Sequence, residues 1–206
     1  MAREGFIFFL PFVVIAVIFF YLFNRYTNMA FIYLGVISFV LACAFILFFR
    51  DPVRKIPAGD DLIVSPADGK ILNIVDTGDQ TVITIFLSIL DVHINRIPVN
   101  GKVVRLKYKP GKFLAAFREA ASDVNERFEI EISTDKGNVT VHQIAGVLAR
   151  RVVCRLKDNQ TVVKGDRFGM IRFGSRVDLF IPGSSRVDVK KGDKVKGGET
   201  IMGKLL

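Results

Sequence analysis

The stretch DLIVSPADGKILNIVDTGDQTVITIFL, residues 61–87, decides the fold class. It holds three short apolar runs, Asp61 to Ser65, Lys70 to Val75 and Thr81 to Leu87, with turn-forming proline, aspartate and glycine between them. Apolar runs of this length bounded by turns predict β-strands. The pattern therefore predicts a mainly β domain, either a sandwich or a barrel-like sheet. Five further runs have the same character: Lys102 to Tyr108, Phe128 to Ser133, Val139 to Gln143, Gly146 to Leu156 and Arg176 to Ile181.

One segment departs from the β pattern. Between Phe113 and Asn125, the residues Phe113, Leu114 and Phe117 recur at helical spacing among alanines. We therefore expect one short helix within the β domain.

Two turns share the sequence Lys-Gly-Asp with a further glycine downstream, at residues 163–169 and 191–198. Together with residues 65–71, this rhythm resembles the turns of biotinyl/lipoyl-type hammerhead domains, where Gly-Asp turns that tolerate positive φ link short strands. Carrier domains of that type present a lysine in a Met-Lys-Met hairpin, which this chain lacks. The resemblance concerns the fold and argues against a swinging-arm carrier.

The first 50 residues differ from the rest. Two uncharged, almost wholly apolar runs, Phe6 to Phe23 and Ala30 to Phe49, are each long enough to cross a bilayer core of about 30 Å as a helix. The polar connection, residues 24–28, is short. It predicts an antiparallel helical hairpin that anchors the chain in a membrane.

Charges around the hairpin predict its orientation. Arg50, Arg54 and Lys55 outnumber Arg25 in the connection, so the positive-inside rule places the following domain at the cytoplasmic face of the cell membrane. Two alternatives stay open. Small residues at 42–44 allow a cleaved signal peptide, and Pro11 within the first run allows an interfacial or re-entrant hairpin.

Composition fits a membrane segment joined to a basic globular domain. The chain has 206 residues, a mean hydropathy of +0.38 and 24% charged residues, which argues against disorder and coiled coil. Residues 1–50 carry a net charge of +2, and the other 156 residues carry +7 of the total of +9. We predict two domains, 1–50 and 51–206. Two cysteines and two histidines are too few for a disulfide framework or a structural zinc site, so no metal is expected.

Three segments of the β region hold residues suited to chemistry. Residues 65–69 read Ser-Pro-Ala-Asp-Gly, residues 91–101 contain His93 and Arg96, and residues 173–182 contain Gly174-Ser175 before an apolar strand. Each segment alone also has an ordinary structural interpretation, as a turn or a packed histidine. Histidine is nevertheless the side chain best suited to proton transfer near neutral pH.

Together, and in this order, the three segments resemble the short, membrane-associated type of phosphatidylserine decarboxylase proenzyme, from about Asp51 to the C-terminus. The resemblance implies that the chain cuts itself between Gly174 and Ser175 and turns Ser175 into an N-terminal pyruvoyl group, its cofactor. It also implies decarboxylation of phosphatidylserine to phosphatidylethanolamine, through a Schiff base between the pyruvoyl ketone and the amine of the serine head group.

The residue types suit such a cut. Ser175 Oγ can attack the Gly174 carbonyl carbon, and glycine is the least hindered acyl group. The resulting ester loses the Ser175 Cα proton and expels the carboxylate, and the dehydroalanine that is left hydrolyses to pyruvoyl and ammonia. Ser184 and Ser185 follow another glycine, but a cut there lies beyond the apolar strand and lacks the family's sequence context.

The resemblance assigns reprotonation of the substrate carbon to His93, which matches the first histidine of the family's Asp-aromatic-His motif, although Val92 occupies the aromatic position. Longer members have a second histidine where this chain has Arg96, so their self-cleaving triad does not transfer intact. Asp68 matches the aspartate of the family's Pro-Ala-Asp-Gly motif. We expect His142, oriented by Asp68, to be the base for the cut. A structural His142, with His93 serving both steps, is the alternative.

Basic residues point to the membrane surface rather than to nucleic acid. Anionic lipid attracts a basic residue near the bilayer by about 1 kcal/mol, although several of these residues also fit ordinary solvated strand faces. The expected partners are thus the phospholipid substrate, the membrane and the chain's own cleaved fragment, and the oligomeric state is left open. The rival hypothesis is a non-enzymatic, membrane-anchored adaptor module of the hammerhead type. The basic residues are Lys102, Arg105, Lys107, Lys109, Lys112, Arg150, Arg151, Arg155 and Lys157.

Overall fold

A computed structural model describes residues 4–112, 114, 124–146, 152–171 and 175–206. The chain divides into two compact units, Met1–Pro52 and Val53–Leu206. Most of the helix predicted between Phe113 and Asn125 lies outside the described residues, as do residues 147–151 of one predicted strand and Gly174.

The first unit is a pair of antiparallel helices, α1 (Gly5–Tyr26) and α2 (Met29–Phe48). Asn28 begins α2 by accepting a hydrogen bond from the Ala30 amide on its side-chain oxygen, 3.0 Å away. Both helices are long and apolar enough to cross a membrane, and most of their large apolar side chains are exposed. The predicted helical hairpin is confirmed. Its helices pack through stacked rings, Phe8 on Phe45 and Phe19 on Phe31, and through the small residues Ala16, Gly35, Ser38 and Ala42.

The second unit is built from short strands, which confirms the mainly β prediction. The described strands are β1 (Leu62–Val64), β2 (Gly69–Asp76), β3 (Gln80–Leu87), β4 (Ile94–Arg96), β5 (Gly101–Lys109), β6 (Arg127–Thr134), β7 (Gly137–Ile144), β8 (Val152–Cys154), β9 (Thr161–Val162), β10 (Arg167–Ile171), β11 (Ser175–Pro182), β12 (Arg186–Val187), β13 (Lys194–Val195) and β14 (Ile201–Lys204).

An eight-stranded sheet forms the frame of this unit, in the order β13-β2-β3-β11-β7-β6-β5-β9. It curls into half of a barrel. Two three-stranded sheets accompany it, β1-β14-β12 and β4-β10-β8, and the described strand pairs are antiparallel. The Gly-Asp turns behave as expected, because Gly165 and Gly192 have φ values of +88° and +95°.

Alternation along β11 and β7 defines the two faces of the large sheet. On β11, Ser175, Val177, Leu179 and Ile181 point into the core, and on β7 the core-facing residues are Val139, Val141 and Gln143. The opposite face, which we call the polar face, carries Arg176, Asp178 and Phe180 of β11 and Thr140 and His142 of β7. Apolar β-branched residues fill most of the core, which explains why the long strands were readable from sequence.

Candidate active site

Ser175 is the first residue of β11 and is fully buried. It pairs with Leu87 at the end of β3, and its side chain lies on the core face of the sheet. Its Oγ has no hydrogen-bond partner among the described residues. A buried hydroxyl left unsatisfied costs about 1–3 kcal/mol, so a serine kept for structure alone would normally bond to a neighbour.

His93 follows β3 through a turn made by residues 88–91. The Asp91 carboxylate holds this turn by accepting hydrogen bonds from the Ser88 amide at 2.8 Å and the Ser88 hydroxyl at 2.7 Å. His93 is fully buried, and its Nδ1 lies 2.9 Å from the Asp91 carbonyl oxygen. A carbonyl oxygen only accepts, so Nδ1 carries the proton. The lone pair of the neutral ring is therefore on Nε2.

The His93 segment also lies beside the chain that leads into Ser175. The Ile171 amide donates to the His93 carbonyl oxygen at 3.2 Å. Leu87, six residues before His93, is the strand partner of Ser175. Ile171 and Ser175 thus both contact the segment 87–93, which brings His93 and Ser175 to the same end of the sheet.

Asp68 lies on a segment that packs next to β4, because the Pro66 carbonyl oxygen accepts a hydrogen bond from the Arg96 amide at 2.9 Å. Its carboxylate accepts two hydrogen bonds from Arg54 Nη2, at 2.7 and 2.9 Å, and one from the Gly197 amide at 2.8 Å. The ion pair is mostly buried, with 7% of the Arg54 side chain and 14% of the Asp68 side chain exposed. Asp68 thus holds its own segment in place, and its hydrogen bonds among the described residues go to Arg54 and Gly197 rather than to a histidine.

Arg96, at the position of the second family histidine, is also buried. Its Nη1 donates to the Gly165 carbonyl oxygen at 2.9 Å, which ties β4 to one of the Gly-Asp turns. Since arginine remains protonated in proteins, Arg96 does not replace a histidine as a base.

His142 lies on the polar face, directly opposite Glu129 of β6 and Asp178 of β11. Its ring packs 4.5 Å from that of Phe180. Burial lowers the pKa of His142, and the carboxylates of Glu129 and Asp178 offset only part of this effect. A cavity of about 180 Å³ on this face is lined by Arg105, Glu129, Glu131, Thr140 and His142.

This arrangement corrects the expected pairing of His142 with Ser175. Alternation along β7 correctly predicted that His142 shares a polar face with Thr140. In the register of β7 and β11, however, His142 is opposite Asp178. Ser175 precedes Asp178 by an odd number of residues along β11, so the Ser175 and Asp178 side chains lie on opposite faces of the sheet. The His142 and Ser175 side chains therefore point to opposite faces of the sheet, and Asp68 does not orient His142.

Sequence analysis assigned no role to two amides that the structure buries, Asn95 and Gln143. Gln143 Nε2 donates to Asn95 Oδ1 at 2.8 Å, and both side chains are fully buried. A signal was present in the sequence, because Gln143 continues the apolar series Val139, Val141 on the core face of β7. A polar residue at a core position calls for a partner.

Fold and site together define a mainly β domain with a buried serine and a histidine of fixed tautomer at one end of its central sheet. Comparison with known proteins identifies the family within this class, since the family model for phosphatidylserine decarboxylase matches residues 41–203. The chain belongs to the phosphatidylserine decarboxylase family.

Individual relatives agree with the family model, and each is a phosphatidylserine decarboxylase proenzyme. The protein from Ehrlichia chaffeensis is 49% identical over 181 residues, which cover 84% of this chain and 80% of the relative. The protein from Chlorobium phaeobacteroides is 50% identical over 163 residues, covering 76% and 77%. The protein from Rickettsia akari is 44% identical over 211 residues, covering 97% and 88%.

Proposed function

We propose that this chain decarboxylates the serine head group of phosphatidylserine to give phosphatidylethanolamine, using a pyruvoyl group that it makes from Ser175. The observation that carries the proposal is the state of Ser175, a fully buried hydroxyl without a partner among the described residues, directly after Gly174 and inside the region that matches the family. Family membership favours this enzyme over the adaptor alternative.

The residues around position 175 suit a pyruvoyl group. The site is buried, and conversion of Ser175 removes a hydroxyl that has no hydrogen-bond partner among the described residues. When present, the ketone would supply an electron-withdrawing carbonyl that condenses with the substrate amine and takes up the electron pair released with carbon dioxide. Burial supports that chemistry, because a carboxylate is lost more easily outside water.

The group would arise from the chain's own atoms. Ser175 Oγ attacks the Gly174 carbonyl carbon, and the peptide C–N bond breaks as an ester forms and the nitrogen takes up a proton. Loss of the residue 175 Cα proton then breaks the ester Cβ–O bond and releases the Gly174 carboxylate. One water molecule converts the resulting dehydroalanine into the ketone, and ammonia leaves.

His93 is the residue we assign to proton transfer in both the cut and the decarboxylation. Its hydrogen bond to the Asp91 carbonyl fixes the proton on Nδ1, so Nε2 can accept a proton and later return it. The other histidine faces the opposite side of the sheet. The Arg54–Asp68 ion pair holds the neighbouring segment, which makes Asp68 a positioning residue in this proposal.

The substrate is a membrane lipid, so the site has to meet a bilayer. We propose that α1 and α2 span the cell membrane and that the basic flank of the hairpin keeps the second unit on the cytoplasmic side. The turn before His93 presents Ile89 and Leu90 at its tip, 53% and 83% exposed. Lys70 and Lys194, both exposed, lie in line with Phe86 at the same end of the sheet. Apolar and cationic side chains together favour contact with an anionic lipid surface.

The proposal is tested with Ser175→Ala in the full-length protein, with Ser184→Ala and Ser185→Ala as controls. Ser175→Ala should remain one chain and release no carbon dioxide from carboxyl-labelled phosphatidylserine in mixed micelles. Both controls should be cut and active like the wild type. A Ser175→Ala protein that releases carbon dioxide, or a wild type that stays uncut and inactive, would contradict the proposal.

A further inference from the structure

Gln143 is a fully buried amide on the face of the central sheet that carries Ser175. It lies opposite Val177 in the register of β7 and β11, and Ser175 is the preceding residue on the same face of β11. Residues placed diagonally in this way are about 7–8 Å apart, within reach of a long side chain. Gln143 and position 175 therefore belong to one buried region.

The orientation of the Gln143 amide is fixed by the acceptors around its nitrogen. Nε2 donates to Asn95 Oδ1 at 2.8 Å and lies 3.5 Å from the Val153 carbonyl oxygen. Asn95 is fixed in turn, because its Nδ2 faces the Pro66 carbonyl oxygen at 3.5 Å. Gln143 Oε1 can therefore accept a hydrogen bond from a ligand, because it is buried and has no hydrogen-bond partner among the described residues.

Room for this amide is made by Gly169 of β10. A Cβ at Gly169 would lie 2.7 Å from Gln143 Nε2 and would also collide with the Val153 carbonyl oxygen. Gly169 is not among the described glycines with positive φ, so the backbone does not require glycine here. Space for the neighbouring amide and strand explains this glycine.

We propose that Gln143 Oε1 binds the amino group of the serine head group by accepting a hydrogen bond from it next to residue 175. This inference rests on the proposed function, because it assumes that the reacting ketone stands at residue 175. The amine has to approach that carbon, which brings its N–H donors within reach of the Gln143 side chain. A buried acceptor with no donor among the described residues is what such an amine requires.

A neutral acceptor suits this amine better than a carboxylate. The amine attacks a ketone carbon only in its unprotonated form, and a nearby carboxylate would stabilise the ammonium form. An amide oxygen directs an N–H group without that effect. The bonds to Asn95 hold the oxygen in position before the substrate arrives.

The experiment uses the full-length protein in detergent micelles and compares wild type with Gln143→Met, Gln143→Glu and Ser185→Ala. Methionine keeps the length of the side chain but loses the strong acceptor, whereas glutamate keeps an oxygen at that position. Ser185→Ala is the matched control, since Ser185 Oγ is also buried without a partner among the described residues but follows the other end of β11. Each protein is treated with hydroxylamine, or with short-chain phosphatidylserine and cyanoborohydride, and the mass of the 175–206 fragment is measured.

Hydroxylamine attacks ketones without needing a binding site, so it should modify the fragment equally in all four proteins. The concentration of short-chain phosphatidylserine that gives half-maximal adduct should rise about tenfold in Gln143→Met, the loss expected for one hydrogen bond. Ser185→Ala should stay within about threefold of wild type. Gln143→Glu should also raise this concentration, because its carboxylate favours the ammonium form of the amine and cannot donate to Asn95 Oδ1.

Equal half-maximal concentrations in Gln143→Met and wild type would overturn the proposal. A Gln143→Met chain that folds but stays uncut would also overturn it, since the amide would then serve the uncut serine. If Gln143→Met does not fold, Gln143→Asn, whose oxygen is withdrawn by one methylene, carries the same tenfold expectation. A wild-type fragment that does not react with hydroxylamine would instead contradict the proposed function.

Discussion

The two histidines occupy different chemical environments, because one lies beyond the end of a strand and the other lies within a strand. His93 lies beyond the end of β3, where the turn at residues 88–91 returns it toward the segment before Ser175. His142 lies within β7 and is fixed by strand alternation on the polar face, between Glu129 and Asp178. Among the described histidines, only His93 lies on the segment that contacts Ile171 and Ser175 at this end of the central sheet.

His93→Ala should therefore accumulate uncut protein, and any fraction that is cut should decarboxylate about 100- to 10,000-fold more slowly than wild type. His142→Ala should be cut and active, because its side chain points away from Ser175. Denaturing electrophoresis and carbon dioxide release measure the two steps separately. The opposite pattern, an uncut His142→Ala and a cut His93→Ala, would restore His142 as the base.

In the proposed function, Asp68 acts by holding its segment in place through the ion pair with Arg54. Removing Arg54 leaves the Asp68 carboxylate mostly buried without its ion-pair partner, which destabilises a protein by about 3–5 kcal/mol when the pair is fully buried. Arg54→Met should lower the melting temperature by several degrees, and the double variant Arg54→Met/Asp68→Leu should recover part of the loss. A double variant that melts no higher than Arg54→Met would argue that Asp68 has another essential partner.

The polar face of β6, β7 and β11 gives the fold a specific pH dependence. The pKa of His142 is lowered from 6.5, so the folded chain binds fewer protons there than the unfolded chain, and stability should fall as the pH drops below about 6.5. Burial alone would raise the pKa of Glu129, but hydrogen bonds from Lys109 and Arg127 outweigh it and lower the pKa from 4.5 to about 2. The stability contributed by Glu129 should therefore be lost between about pH 4.5 and pH 2.

Melting curves from pH 7.5 to pH 2 check both effects. His142→Gln should weaken the pH dependence of the melting temperature just below pH 6.5 and leave the decrease below pH 4.5 unchanged. Glu129→Gln should weaken the decrease in melting temperature below pH 4.5. If His142→Gln melts with the same pH profile as wild type throughout, the histidine is not held in its neutral form by burial.

The long strands could be predicted from sequence because each presents a continuous apolar face to one core. The short strands β4, β9, β10, β12, β13 and β14, of two to five residues, were missed, since they are too short to show a period and are fixed by backbone pairing. Local motifs led to the prediction that His93 and Ser175 share one site, and this stays a prediction. The face occupied by His142 relative to Ser175 depends on register between β7 and β11, which no local pattern encodes.

The helical hairpin is a separate compact unit, which predicts that the catalytic chemistry does not need it. A chain lacking residues 1–49 should still cut itself, because the cut involves only atoms of the second unit. Turnover on phosphatidylserine in bilayers should fall more than turnover on a short-chain soluble analogue. Equal losses on both substrates would show that the hairpin contributes to the active fold.

Considered as a whole, the second unit is built so that a cut before Ser175 does not divide it. The fragment 175–206 contains β11, which lies in the central sheet between β3 and β7, and β13, which forms one edge of the same sheet. It also contains β12 and β14, which pair with each other, and β14 pairs with β1. Backbone hydrogen bonds on both sides of β11 should keep the two fragments together after the cut.

Intact-mass measurement of the purified full-length protein under denaturing conditions tests whether Ser175 becomes a ketone at a new chain end. We predict two fragments, residues 1–174 and residues 175–206, that migrate together on a native gel. The small fragment should have the mass of a pyruvoyl terminus and should resist Edman degradation. A single chain of 23.0 kDa, or a small fragment that begins with a free amino group, would show that Ser175 does not become a pyruvoyl group.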